Sequence, residues 1–376
     1  MHITLFFTFD VSLKTWYDAG LLDRELIIYK GLVSSGHSVT FVTYGDESDY
    51  QYQNKLGKIN IVPIYDFVKK SKIKLLCYIK SLLIPFIIKN KIKETTIIKT
   101  NQMWGSWSAV IAKFLLRKPL LVRCGFEHYY NLVSFNERSA KYYLWKVAVW
   151  FISIVSYKNA DKILLTSKTA KKFVQNCFNI ESKKIHVHYN IIDTELFKPM
   201  DLIKHDNRLV FIGRLTKAKN LFSLLDAISN TKYKLDIIGD GEFKASIKAY
   251  IDNNNIDAKM LGTFPNIDLP EIINKYQVLI LPSYYEGNPK ALLEAMACGI
   301  IVICSNIPSL AEIITNNKNG ILSERDTVSI TNNIISTMNN TIMNSNMGNE
   351  ARQFILNNCE KNLLLSKEEG LLTQTK

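Results

Sequence analysis

An α/β fold with two domains, each organised around a parallel sheet, is what this sequence predicts. Short apolar runs alternate with helix-forming stretches along the chain, the pattern of parallel strands joined by crossovers. The 376 residues exceed the usual size of one hydrophobic core, and 47% of them are hydrophobic, ample for burial. The third observation is local. The apolar run Val278–Leu281 stops at Pro282, and a polar loop runs from Ser283 to Pro289. Ala291–Ala297 then favours helix, Gly299 closes it, and Ile300–Ile303 is apolar again. Strand, loop, helix and strand in that order make a right-handed crossover of a parallel sheet.

The N-terminal half begins with an expected strand at Ile3–Phe9, a helix over about Leu21–Ser35, a stop at Gly36 and a strand at Ser38–Tyr44. Apolar runs near Ile59–Ile64, Thr96–Lys99, Leu120–Arg123 and Lys162–Thr166 continue the sheet, and His186–Tyr189 is its last strand. Asn190–Pro199 reads as a hinge. The second sheet follows at Leu209–Ile212, Lys234–Ile238, Lys259–Leu261, Val278–Leu281 and Ile300–Cys304. Beyond Ser329 the chain is polar, Asn-rich and helical in character. The start, MHITLFFTFDV, has no basic region and no small-residue cleavage site, so it reads as a strand and not as a signal peptide.

Charge is unevenly placed. Residues 1–200 carry 29 Lys+Arg against 15 Asp+Glu, whereas residues 201–376 carry 18 against 19. The net charge of +13 therefore belongs to the first half. Its densest part is Lys69–Lys99, with nine lysines and the single acid Glu94. Leu75, Leu76, Ile79, Leu82, Leu83, Phe86 and Ile87 lie between them near helical spacing, with Pro85 as a kink. A basic amphipathic segment of this kind is expected to rest on an anionic membrane surface; a solvated face is the plainer alternative. Tyr142–Tyr157 is a second, aromatic-rich candidate, with burial in the core as its plain reading. No zinc-finger, homeodomain or ribonucleoprotein pattern occurs, so no nucleic-acid partner is expected. No stretch reaches 18 uncharged apolar residues, which argues against a spanning helix. The six cysteines show no C-x-x-C spacing, and Cys298 and Cys304 read as buried small hydrophobes. A reduced, cytoplasmic chain, peripheral on the inner face of the plasma membrane, is the expectation.

Ligands of parallel sheets bind at the carboxyl ends of strands, where a helix N-terminus offers N–H groups and partial positive charge. Glu286 lies in such a loop and Glu294 on the helix that follows. Two carboxylates beside an anion-binding helix end suit a ligand with both a diphosphate and sugar hydroxyls. No convincing Asp-x-Asp pair is present, and Asp240-Gly241-Glu242 is best explained by turn chemistry, so no metal is expected. Arg214 and Lys219 offer instead a guanidinium fork and an ammonium for a leaving diphosphate.

The stretch EGNPKALLEAMACG from Glu286 to Gly299 resembles the donor-site signature of the retaining glycosyltransferases of family 4, bacterial surface-polysaccharide type. Further matches come in the family's order. Gly213-Arg214-Leu215 with Lys217 and Lys219-Asn220 resembles its GRL…KN element, and Ile237–Gly241 its next strand and Gly-rich turn. Leu261-Gly262 resembles its base-side loop, and Asn190–Pro199 the segment that opens its second domain. The likeness is strong over about residues 186–356 and weak before them. It implies a GT-B architecture, two Rossmann-like domains facing a cleft, with a C-terminal helix crossing back to the first. The boundaries then fall at 1–189, with a terminal helix at about 357–376, and 190–356; Ala351–Cys359 resembles the crossing helix.

By that resemblance the chain is a metal-independent transferase with no cofactor, its nucleotide-diphosphate sugar being a substrate. Arg214 and Lys219 would neutralise the diphosphate, Glu286 would hold donor-sugar hydroxyls, and Glu294 the ribose hydroxyls. Gly213, Gly239, Gly287, Asn288, Pro289 and Lys290 complete the donor site. Retention in this family is usually assigned to front-face attack, with the leaving phosphate taking the acceptor proton. The implied acceptor is a saccharide, lipid-linked through a polyprenyl carrier or at the cell surface. The first domain departs from the pattern: many members carry a Gly-Gly loop after the first strand, whereas the nearest glycine here is Gly20. Many also place a His at the end of a middle strand, where this chain has Leu121-Val122-Arg123-Cys124-Gly125 and then Glu127 and His128. Gly20, Arg123, Glu127 and His128 are the acceptor-side candidates. Two other readings stay open, a nucleotide-sugar epimerase on the same fold and a catalytically silent subunit that binds nucleotide sugar or membrane.

Overall fold

The computed structural model describes residues 1–125, 127–134 and 139–375. It divides into two compact units, Met1–His188 with Asn362–Lys376, and Tyr189–Lys361. The first holds a seven-stranded parallel sheet. Its strands are β1 (His2–Phe6), β2 (Ser38–Thr43), β3 (Asn60–Pro63), β4 (Ile97–Thr100), β5 (Leu120–Cys124), β6 (Lys162–Leu165) and β7 (Ile185–Val187), in spatial order 3-2-1-4-5-6-7. The second holds β8 (Arg208–Ile212), β9 (Lys234–Ile238), β10 (Ala258–Gly262), β11 (Val278–Leu281), β12 (Ile301–Ser305) and β13 (Ile321–Ser323), in order 10-9-8-11-12-13.

Most of these strands are buried on both faces, which is why they read as continuous Val/Ile/Leu runs. Each sheet runs outward from its first strand, then reverses to the other side. That reversal lies between β1 and β4 in one unit and between β8 and β11 in the other, so the loops leaving each pair diverge and open a crevice. The strand β13 was not anticipated; three residues, Ile-Leu-Ser, carry too little pattern. All six cysteines are free, and Cys298 and Cys304 are buried as expected.

The chain crosses between the units twice, and each crossing is pinned within its own unit. In the second unit, Ile192 N–H donates to Cys359 O at 2.9 Å, and Lys361 pairs with Asp193 at 2.9 Å. Helix Thr341–Asn358 ends there, so Ala351–Cys359, which resembled the crossing helix, stays in the second unit. The helix that joins the first unit is Lys361–Thr373. It packs so closely on helix Leu22–Ser34 that a Cβ on Gly31 would lie 2.4 Å from Leu365.

That last helix also buries charge. Glu368 pairs with Lys99 on β4, and both side chains are wholly buried. His188, the last residue of the first unit, holds Leu364 O through Nε2 at 3.0 Å. Burial alone would push the Glu368 carboxyl up, but Lys99, His188 and Arg123 around it hold it below its usual range. Breaking a buried pair leaves an uncompensated charge, typically at a cost of about 3–5 kcal/mol. Glu368→Ala is therefore expected to lower the unfolding free energy of the full chain by that order, measured by denaturant titration. Lys99→Met/Glu368→Leu together should recover much of it.

Candidate functional site

The crevice between β8 and β11 is assembled from three loops. After β8 the chain passes through Gly213 and Arg214 into a single turn, Lys217–Lys219. Asn220 ends that turn in the left-handed region (φ 54°) and is held there by its own amide, which donates to Arg325 O at 2.9 Å, and by Ser223 Oγ, which donates to its Oδ1 at 2.8 Å. After β9, Gly239 (φ 144°) passes so near the first loop that a Cβ would sit 1.9 Å from Gly213 O. Only glycine fits there. Leu215 N–H then donates to Asp240 O at 2.9 Å, and Asp240 itself closes a turn by accepting from Gly241 N at 2.7 Å.

The third loop, after β11, carries Glu286. Its Oε1 accepts from Ser283 Oγ at 2.6 Å and pairs with Lys219 Nζ at 2.5 Å. Ser309 Oγ anchors its backbone carbonyl at 2.7 Å, and Tyr284 N–H donates to Ala218 O at 2.8 Å. The β8 and β11 loops are thus tied side chain to side chain and backbone to backbone. Gly287 and Lys290 are half-buried, and Asn288 is buried, its Oδ1 accepting from Asn190 N at 2.7 Å. Arg214 is exposed at the rim.

Pro289 precedes helix Lys290–Ala297 and supplies no side-chain acceptor to its first N–H groups. The helix's other end is capped by Arg352, which donates to Ala297 O at 2.5 Å, a cation where the dipole favours one. One turn in, Glu294 is buried with only 1% of its surface exposed, and Asn266 from the loop after β10 lies 3.4 Å from its Oε1. The sequence-expected donor residues Gly213, Lys219, Gly239, Glu286, Asn288 and Glu294 therefore line one end of one sheet. Ser283, Ser309 and Asn266 support them and were not singled out beforehand. Among the described residues no group of three or more His, Cys, Asp or Glu converges as a metal site.

In the first unit the candidates separate. Arg123 is buried on β5, 3.7 Å from Glu25 and beside the Lys99–Glu368 pair, so its charge belongs to an internal cluster. Gly20 (φ 65°) closes the six-residue helix Leu13–Asp18, which itself separates it from the end of β1. Glu127 and His128 follow β5, where the loop begins helix His128–Ser134. Burial pushes the Glu127 carboxyl up to about 7, against the Tyr130 N–H and Tyr157 hydroxyl (3.3 Å) that stabilise its anion. Burial lowers the His128 pKa as well, leaving a neutral imidazole near Trp104.

Two family models match end to end, Glycosyltransferase Family 4 over residues 27–196 and Glycosyl transferases group 1 over residues 193–354. A Campylobacter jejuni enzyme described as N-acetylgalactosamine-N,N'-diacetylbacillosaminyl-diphospho-undecaprenol 4-alpha-N-acetylgalactosaminyltransferase is 32% identical over 183 residues, 47% of this chain and 50% of that one. The Escherichia coli UDP-Gal:alpha-D-GlcNAc-diphosphoundecaprenol alpha-1,3-galactosyltransferase is 26% identical over 235 residues, 56% of this chain and 60% of that one. The chain spans about half the length of the curated relatives it matches. HepE of Anabaena, solved with UDP, superposes with a TM-score of 0.77 at 15% identity over 100% of both chains, a likeness of fold that fits two Rossmann-like units of GT-B type.

The raised Glu127 pKa has a measurable consequence. Below pH about 4.5 the group is protonated folded or unfolded and contributes nothing; as pH rises the unfolded chain ionises first and gains. Relative to Glu127→Gln, the native chain should lose stability between pH 4.5 and about 7, by up to about 3 kcal/mol. Parallel stability–pH curves for the two proteins would contradict this.

Proposed function

The chain belongs to the family 4 glycosyltransferases of GT-B architecture, and we propose that it moves a sugar from a nucleotide-diphosphate donor to a lipid-linked or cell-surface saccharide, with retention and without a metal. The observation that carries this reading is the Lys219–Glu286 pair at the β8/β11 reversal, with Glu294 buried on the adjoining helix. A cation and a carboxylate 2.5 Å apart match a ligand whose phosphate and hydroxyl groups are neighbours.

In this reading Lys219, Arg214 and the N–H groups at Lys290 receive the negative charge that develops as the sugar–phosphate bond breaks. Gly213 and Gly239 allow the diphosphate close to the backbone. Glu286 accepts hydrogen bonds from donor-sugar hydroxyls, with Gly287, Asn288 and Pro289 shaping its loop, and Glu294 accepts from the ribose. The bond from the anomeric carbon to the β-phosphate oxygen breaks, a bond to the acceptor hydroxyl forms, and the phosphate takes that hydroxyl's proton. Positioning and fixed charge supply most of the rate. A uridine nucleotide is favoured by the UDP bound in HepE, and a diphospho-undecaprenol-type acceptor by the two relatives' named substrates. Such an acceptor would place the chain at the cytoplasmic face of a membrane. On the acceptor side, Glu127 and His128 are the residues kept as candidates.

Thermal unfolding with chelator present tests the donor site. A ligand at a hundred times its dissociation constant stabilises by about 2.7 kcal/mol, so UDP or a UDP-sugar should raise the melting temperature of the wild type and not of Glu294→Ala. Arg214→Ala should retain its fold and lose more than about tenfold in turnover, the scale of a lost phosphate clamp. No shift with any nucleotide, or transfer that needs added metal, would overturn the reading.

A further inference from the structure

The first unit carries a layer of three helices built inside out. Helix Lys74–Ile87 packs on helix Ser106–Leu116, which packs on helix Ala140–Asn159. Their contacts use small polar groups. Trp107 Nε1 donates to Ser81 Oγ at 2.7 Å, Ser108 Oγ donates to Ser81 O at 2.7 Å, and Ser106 and Ser156 meet at 2.5 Å. Ile84, Val149 and Tyr157 are buried, but most of the large apolar side chains of the first and third helices point outward. Leu75 (66% exposed), Ile79, Leu82 and Phe86 (56%) form one stripe at successive turns of the first helix. Tyr143, Leu144 (72%), Val147 and Phe151 (61%) form another on the third. A helix covering a water-soluble core has the reverse arrangement, and single exposed hydrophobics do not line up in this way.

We propose that this layer is an interfacial membrane surface, with both stripes inserted among the acyl chains of an anionic bilayer and the flanking lysines at its headgroups. Lys69, Lys72 and Lys74 stand before the first stripe and Lys89, Lys91 and Lys93 behind it, while Lys141 and Lys146 border the second. This placement complements anionic lipid and opposes self-association, which would set lysine against lysine. Among the described residues no helix is long and apolar enough to cross a membrane, so the helices lie in the interface. The inner side of the layer reaches the β1/β4 reversal: Tyr78 stacks on Phe9 at 4.3 Å, and Trp145 meets Trp104 at 5.0 Å. The surface therefore adjoins the place where this unit's sheet would take a ligand. Its purpose rests on the lipid-linked acceptor proposed above; the binding does not.

The full-length chain, without donor or acceptor, is floated with phosphatidylcholine vesicles and with vesicles containing about one-third phosphatidylglycerol. We expect binding to the anionic vesicles, a blue shift in tryptophan emission as Trp145 and Trp150 leave water, and partial retention in about 0.5 M salt, where exposed charges are screened. Leu82→Gln/Phe86→Gln and Leu144→Gln/Phe151→Gln should each weaken partition by about tenfold or more and leave the UDP-dependent melting shift unchanged. Binding that ignores both pairs of substitutions, or that salt abolishes with no emission change, overturns insertion. So does a concentration-dependent dimer, dissolved by these substitutions, that binds no vesicle. A missing UDP shift with vesicle binding intact would sink the donor reading alone.

Discussion

A lysine and a carboxylate at the ends of two neighbouring parallel strands govern the second unit. Lys219 and Glu286 come together because β8 and β11 are adjacent although the chain visits two other strands between them. Held 2.5 Å apart, they neutralise each other. Much of the surrounding structure keeps that pair in register. Gly239 lets the β9 loop pass against Gly213, Ser283 and Ser309 fix the Glu286 loop, and Arg352 caps the far end of the helix whose N-terminus faces the same crevice.

The first unit spends its charge differently. Lys99, Glu368, His188, Arg123 and Glu25 are drawn inward around the returning C-terminal helix. The desolvation of such a cluster offsets much of its Coulomb gain; its effect is to fix where the last helix docks. Glu127, with no cation beside it among its named partners, responds to the same burial with a carboxyl pushed up to about 7. Internal charge in this unit therefore sets structure, while Lys69, Lys72, Lys74, Lys89, Lys91, Lys93 and Lys141 around the three-helix layer stay exposed.

Parallel strands were legible because burial on both faces leaves uninterrupted apolar runs, and Val278–Leu281 and Lys234–Ile238 appear where the sequence placed them. The donor-side residues were legible because they follow those strands at fixed short distances. Partners brought by the fold alone were not: nothing near Glu286 in sequence points to Ser309, nor near Glu294 to Asn266. The surroundings of Arg123 were hidden for the same reason, since Glu25 lies on a distant helix and only the folded chain shows the charge turned inward. In Ala140–Asn159 the aromatic run allowed burial or exposure, and the serines on its inner face decided it.

The central claim is that Lys219 and Glu286 act as one unit on the donor. A double-mutant cycle on turnover, with Lys219→Ala, Glu286→Ala and both together assayed in chelator, tests it most directly. The account predicts strong non-additivity, the double variant being little worse than the poorer single one. Losses that simply multiply would mean two independent residues and contradict it.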